Sequence, residues 1–419
     1  AGGAARLDPA RRATLDAVLA DAPPVRARLE AEVPALAAAL AVPAGVVGEL
    51  QLDGRSLELH GTAATVLRPP SAAALDKATE VDACGNRLEE LPPSLFTAEG
   101  KAWRTLALCR NRLERLPATI GATRCAKLLL AHNCLAAPPP LPAGLQLLDL
   151  SFNALAGALH IDDAPELRTL RLSENSLAAL SVGSCPALSS LELAHNQLCA
   201  LPALEGSPRL GKLHAPRNRI AALPPSLCSA LGGTLLELEL GFNDLAALPD
   251  EIGLLRSIRR LALHHNHLAA LPAPLWALPS LLELNLSANR LSTIEPPPPA
   301  PPPSLVELSL AANALSLVPP ALLAVPSLTM LDVGRNGLES LDVAALPALR
   351  QLHAAHNQLR GLPDGIGGCF GLRALFLSGN PLPPDLPLAP LAPLASLFEL
   401  ETHAPPARRA AAAAPPDDA

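Results

Sequence analysis

The side chains with most chemistry to offer in this 419-residue chain are its histidines and cysteines. His132, His195, His265 and His356 each stand directly before an asparagine, with His264 and His267 flanking His265. Neutral imidazole is a zinc ligand, but a structural zinc needs further ligands, and no Cys or carboxylate stands at ligand spacing from His264-x-x-His267. The asparagines recur once per repeat, so His265 lies three repeats from His195 and four from His356. At strand spacing that is more than about 12 Å, too far for shared ligation. Cys84 and Cys109 occupy equivalent places in adjacent repeats, so a disulfide between them fits the geometry, but in a reducing cell it is not expected to form. The other six cysteines are scattered, with no clustered group at either end of the array, so the expectation is a reducing, cytoplasmic compartment in which thiols persist. G-x-x-x-x-G-K-[ST], G-x-S-x-G, H-E-x-x-H and the kinase signature are all absent from the sequence. Neither catalytic residues nor a metal nor a cofactor is expected.

Charge offers a different chemistry, ionic recognition. The positions four and six residues before each repeating asparagine hold Glu237 and Glu239, Glu283 and Asn285, Glu307 and Ser309, and Asp332, interrupted by Arg259 and Arg260. Earlier repeats offer Arg168, Arg171, Glu192, Lys212 and His214. These residues lie between leucines in short strands, so they face away from the core. Like charges repeating down a column of strands repel unless a partner or counterion answers them. An acidic patch with a basic notch is the expected partner-binding surface, and a merely solvated strand face is the alternative. Phe242, like Phe152, precedes a turn asparagine and is either an exposed contact or part of a packed rim.

The elements that must hold these side chains come from one unit, seen at 235–245 as L-x-x-L-x-L-x-x-N-x-L. The leucine offsets predict a short strand and a tight turn. The asparagine suits that turn because its amide and carbonyl can both bond backbone groups left unpaired there. One unit cannot bury its leucines alone, and stacked copies can. The pattern runs from 78 to 382 through about 14 repeats with turn residues Asn86, Asn111, Asn133, Asn153, Asn175, Asn196, Asn218, Asn243, Asn266, Asn289, Asn313, Asn336, Asn357 and Asn380. Leu-Pro pairs follow at Leu91-Pro92, Leu116-Pro117, Leu223-Pro224, Leu248-Pro249, Leu271-Pro272 and Leu362-Pro363, with Ile120, Leu227, Ile252, Leu275 and Ile366 turning back inward. Proline ends strand pairing there, so the outer segments should be short helical or 3₁₀ turns. The repeats around Asn133, Asn153, Asn175 and Asn196 are short, lose much of the Leu-Pro element and should bend differently.

Composition agrees: 49% of residues are apolar, only 2% are aromatic and tyrosine is absent, so the core must be aliphatic. A formal net charge of −7 gives no basic footprint for nucleic acid and disfavours anionic lipid. No apolar run is long enough to span a bilayer. Residues 1–45 read as two Ala-rich helices forming an N-terminal cap, a partner-binding helix pair being the alternative. Residues 46–77 read as a degenerate first repeat, with Arg55 in the asparagine place, followed by a poorly patterned connector. Pro296 to Pro303 is a polyproline insertion, either a tolerated spur or a ligand for a proline-binding module. Residues 383–402 read as a C-terminal cap and 403–419 as a disordered tail.

The extended form L-x-x-L-x-L-x-x-N-x-L-x-x-L-P-x-x-I, seen most fully in the repeat containing Leu248-Pro249-Asp250-Glu251-Ile252, resembles the intracellular leucine-rich-repeat family that includes the plant Ras-group-related proteins. The resemblance covers about three quarters of the chain. It implies an α/β solenoid: a leucine-rich-repeat horseshoe with a parallel concave sheet and short convex helical or 3₁₀ segments. It also implies a non-catalytic intracellular scaffold for protein partners, with a Ras-like GTPase pathway as the partner by family analogy; a structural subunit of a larger stable assembly and the targeting domain of an enzyme are the alternatives.

Overall fold

The computed structural model describes residues 47–59, 63–68, 71–96, 102–294 and 303–402. The helical segment expected at 1–45, nearly all of the polyproline insertion at 296–303 and the tail at 403–419 lie outside the described residues. The chain divides into two compact units, 1–155 and 156–419.

In the first unit the strands are β1 (Val47–Glu49), β2 (Gln51–Asp53), β3 (Ser56–Glu58), β4 (Val66–Arg68), β5 (Glu80–Asp82), β6 (Ala102–Ala107), β7 (Arg124–Leu129) and β8 (Leu147–Asp149). From β3 onward, β5 to β8 stack in parallel. The start departs from the sequence reading. β2 and β3 form an antiparallel hairpin, and β3 then stacks in parallel on β5, Leu57 in register with Val81. Gly54, at φ +59°, makes the bend that Arg55 was expected to occupy as an asparagine substitute. The connector also has structure: β4 pairs with β1, and a short helix α1 (Ala72–Lys77) follows, its N-terminus capped by the Ser71 hydroxyl.

The second unit contains β9 (Ala156–Ile161), β10 (Thr169–Arg171), β11 (Ser176–Val182), β12 (Ser190–Glu192), β13 (Lys212–His214), β14 (Glu237–Glu239), β15 (Arg260–Ala262), β16 (Glu283–Asn285), β17 (Glu307–Ser309), β18 (Met330–Asp332), β19 (Gln351–His353), β20 (Ala374–Phe376) and β21 (Glu399–Glu401). β10 and β12 to β21 make one parallel sheet with no register slip between neighbours. Each of these strands has only three residues. In β14 the middle residue, Leu238, is buried and its flanking Glu237 and Glu239 are half-exposed, so a one-residue slip would turn leucines to water.

The outer segments follow the proline rule. After the Leu-Pro pairs come 3₁₀ turns at Pro93–Phe96, Ala118–Ala122, Asp250–Leu254 and Ala273–Ala277, and the seven-residue helix α2 (Pro225–Leu231), with Pro225 in its first turn. Ile120, Leu227, Ile252, Leu275 and Ile366 are all buried, as their spacing required. Where the Leu-Pro element is lost after Asn153 and Asn175, the outer segments instead become β9 and β11. These form a parallel pair with an irregularity between Leu177 and Ala179.

The turn asparagines carry the array. Nδ2 of Asn266 donates to the carbonyls of Leu263 in its own coil and Leu240 in the preceding one, at 3.0 and 2.9 Å. Its Oδ1 accepts from the Leu245 N–H at 3.0 Å. The same arrangement recurs at Asn133, Asn218, Asn243, Asn289, Asn313 and Asn357. The asparagine therefore does more than close its own turn: it ties each coil to its neighbour.

Residues 383–402 carry the chain from β20 to the last described strand. β21 extends the sheet by one more strand beyond β20, and Leu391 and Leu394 are buried beneath it. Among the described residues Phe398 (77% exposed) and Leu400 (41%) remain uncovered.

Candidate functional site

The residue before each turn asparagine has a left-handed backbone. Arg110, His132, Phe152, Glu174, His195, Arg217, Phe242, His265, Ala288, Ala312, Arg335 and His356 all lie between φ +53° and +57°, and Gly85 and Gly379 fill the same place at +71°. That conformation costs a non-glycine residue roughly 1 kcal/mol, which the asparagine hydrogen bonds must offset. It also sets two of the histidines in this place, His132 and His265, beside aromatic rings. His265 stacks on Phe242 at 4.1 Å between centroids, and the Arg217 guanidinium covers Phe242's other face at 4.3 Å. His132 stacks on Phe152 in the same way. Phe242 is therefore half-buried in a packed rim between Arg217 and His265.

The two columns between the leucines are where the charges meet. In register across β13 to β17 run Lys212, Glu237, Arg260, Glu283 and Glu307, and beside them His214, Glu239, Ala262, Asn285 and Ser309. Lys212 Nζ lies 3.0 Å from the Glu237 carboxylate and Arg260 reaches the same carboxylate at 3.5 Å, while Arg260 Nε donates to Glu283 at 2.9 Å. His214 is 3.4 Å from Glu237 and 3.9 Å from Glu239. Burial pushes the Glu237 carboxyl up, but the Lys212 hydrogen bond, with the charges of Lys212, Arg260 and His214, outweighs it and holds the group below its ordinary range. The Glu283 hydrogen bond raises the Arg260 guanidinium correspondingly.

The expected acidic patch is thus largely an alternating ladder, because parallel registration puts Arg260 between two glutamates that would otherwise repel. Arg259 does not share the notch. It precedes β15, where its backbone N–H donates to the Leu236 carbonyl and its carbonyl accepts from Leu282 and Glu283. Around the ladder is a shallow concavity of about 300 Å³ lined by His214, Glu237, Glu239, Arg260, Glu283, Glu307 and Met330 among others. Asp332 sits beside it on β18 and receives the Ser309 hydroxyl at 3.5 Å. Met330, the one methionine of the chain, was not singled out from the sequence, although the residue six before Asn336 could have been read there. A larger hollow of about 470 Å³ in the first unit is walled mainly by Leu-Pro segments, with Glu90 and Arg115 its acidic and basic groups besides the backbone.

The cysteines also depart from expectation. Cys84 and Cys109 form a disulfide, their Cα atoms 4.7 Å apart, because equivalent positions on adjacent strands sit at strand spacing. Buried Cys125, Cys228 and Cys369 have thiols pushed up by desolvation, to about 11, 12 and 11. Cys134 and Cys199 are free and exposed. No described helix is long and apolar enough to cross a membrane.

No protein-family model matches the chain. Podocan-like protein 1 of Homo sapiens is 34% identical over 322 residues, a match that covers 72% of this chain and 57% of that protein. A leucine-rich-repeat protein of Leptospira interrogans superposes with a TM-score of 0.62 at 26% identity, over 80% of this chain and 83% of that one. YopM, a leucine-rich effector protein from Yersinia pestis, does so with a TM-score of 0.57 at 27% identity, over 78% and 84% respectively.

Proposed function

We propose that this chain, whose fold is a leucine-rich-repeat solenoid, is a non-catalytic scaffold that captures partner proteins on the exposed sheet face of its second unit. The observation that supports this reading is the hollow over β13 to β18, where charged side chains in strict register surround Glu307 and Met330. Sheet residues between buried leucines can change without cost to the core, so recognition can vary while the fold stays fixed.

The intracellular placement belongs to the same proposal and rests on the six free cysteines among the described residues. The disulfide weighs against it. A Ras-like GTPase pathway and a closer kinship to leucine-rich-repeat-containing protein 40 rest on the resemblance of the repeat motif alone. The chain spans 57% of its human relative, so a targeting role for a larger protein is a second reading.

The test is quantitative affinity capture with three baits: the unaltered chain, Glu239→Lys with Glu307→Lys on the sheet face, and Glu205→Lys on an outer turn as control. Glu237 is avoided because it is locked into the ladder and its reversal would disturb Lys212 and Arg260 together. Proteins lost with the sheet variant and retained with the control would support the reading. Identical captures from all three baits, with unchanged melting curves, would overturn it.

A further inference from the structure

The charge ladder stops one strand early. Lys212, Glu237, Arg260 and Glu283 alternate in sign, but the next residue in register is a second carboxylate, Glu307, and the one after it is Met330. Arg260 commits its Nε to Glu283 on the following strand and a terminal nitrogen to Glu237 on the preceding one. Glu307 is exposed and feels the Arg260 charge only at a distance, with no direct ion pair among the described residues. Two carboxylates directly opposed on neighbouring parallel strands, about 4.8 Å apart, destabilise each other. A cation supplied from outside would continue the alternation and remove that repulsion.

We propose that Glu307 is the docking point for an Arg or Lys side chain on an extended, basic segment of a partner protein, and that Met330 receives the apolar residue next to it. The proposal rests on the scaffold reading above and adds the chemistry of the partner. The site favours a side chain over a metal ion, because a hard cation wants several oxygen ligands and Glu283 is already spent on Arg260. The concavity of about 300 Å³ suits one or two side chains rather than a globular surface. Met330 is half-buried, and its unbranched thioether can mould to an aliphatic neighbour without a preset shape. Residues two apart in an extended segment share a face, so an Arg-x-Leu spacing presents both groups to this pair.

Met330 also supplies the readout, being the single methionine in the sequence. The full chain carrying [methyl-¹³C]methionine is titrated with the peptide acetyl-Gly-Ser-Arg-Ser-Leu-Ser-Gly-amide, and in parallel with its twin bearing neutral, isosteric citrulline for arginine. Met330→Leu identifies the signal. The expected result is a saturable shift of the Met330 methyl with the arginine peptide. Affinity should fall about tenfold or more with citrulline or in Glu307→Gln, as for loss of a charge-assisted hydrogen bond. Equal affinity for both peptides, no change in Glu307→Gln, or no shift at all would overturn the proposal. A shift that depends on protein concentration without peptide, matched by dimer in sedimentation, would assign the face to a second copy and overturn it too. If the capture experiment shows sheet-face partners while these peptides are ignored, only the partner chemistry fails. If sheet variants lose no partner, the scaffold reading itself fails.

Discussion

A methyl group added to Gly241 would stand 2.3 Å from Cε1 of the His264 ring. The absence of a side chain in one coil is thus what makes room for the imidazole of the next. His264 is half-buried there, its Nδ1 without a hydrogen-bond partner, and Phe242 meets the ring edge-on at 5.2 Å. Gly241→Ala should therefore force the ring outward and destabilise by about 1–3 kcal/mol, as overpacking does. Thermal unfolding checks this. The double variant with His264→Ala should recover most of the loss, and failure to recover would place the strain elsewhere.

The same histidine carries a pH dependence. Burial, and then the neighbouring His265, push the His264 imidazole below its ordinary pKa. A depressed folded-state value means that the unfolded chain binds the proton first as pH falls. Its contribution is present above the unfolded value near 6.5 and is lost as pH drops towards the folded one. Stability measured in urea from pH 8 to 5 should accordingly decline more steeply below pH 6.5 for the native chain than for His264→Phe. Parallel curves would remove His264 as the source.

How much of this could be read beforehand divides along the two directions of the chain. Along the coil, nearly everything was legible: Leu238, Leu240 and Leu245 face inward because burial imposes that spacing on any single coil, and the proline after Leu248 forecasts the 3₁₀ turn at Asp250–Leu254. Between coils much less was visible. That Arg260 neutralises Glu237 and Glu283, that Phe242 lies between Arg217 and His265, and that Cys84 meets Cys109 closely enough to bond all depend on register between coils 20 to 25 residues apart. The left-handed residue before each asparagine left a faint trace, in Gly85 and Gly379. Twelve side-chain-bearing residues in the same place hid it. The hairpin at Gly54 was missed because Leu52 and Leu57 also fit the spacing of a repeat.

Removing one rung of the asparagine ladder tests what ties the coils together. In Asn266→Ala the Leu245 N–H loses its acceptor, and the carbonyls of Leu240 and Leu263 lose a donor, all inside the array. Asn243 and Asn289 still donate to those two carbonyls, so the Leu245 N–H is the group left unsatisfied, and the loss should be about 1–3 kcal/mol. His265 should also lose its reason to hold a positive φ. Denaturant unfolding together with hydrogen exchange at Leu245 would show it. A change below about 1 kcal/mol would mean that water replaces the amide at little cost.

Arg260→Ala should do far less to the fold. Its guanidinium is solvent-exposed, and ion pairs made by so exposed a cation contribute little to the fold. The melting temperature should barely move, while the Glu237 carboxylate, relieved of the Arg260 charge, should titrate higher by carboxyl ¹³C NMR. A large loss of stability would mean that the ladder serves the fold before it serves recognition.

The disulfide gives the sharpest division between the two halves of the molecule. Cys84 and Cys109 close a loop with a sequence separation of 25, for which chain entropy alone gives roughly 3.5 kcal/mol. Both partners are half-exposed, so a small thiol reductant can reach them. Reduction, or Cys84→Ser, should loosen β5 and β6 in hydrogen exchange and leave β12 to β20 unchanged. Thiol counting supplies the control: in the unreduced native chain Cys134 and Cys199 should react first with an aromatic disulfide reagent. Cys125, Cys228 and Cys369, with thiols pushed up by burial, should wait for unfolding. Eight thiols titrating in the unfolded, unreduced chain would mean that Cys84 and Cys109 were never joined, and the protection of β5 and β6 would then have to come from leucine packing and Asn111 alone.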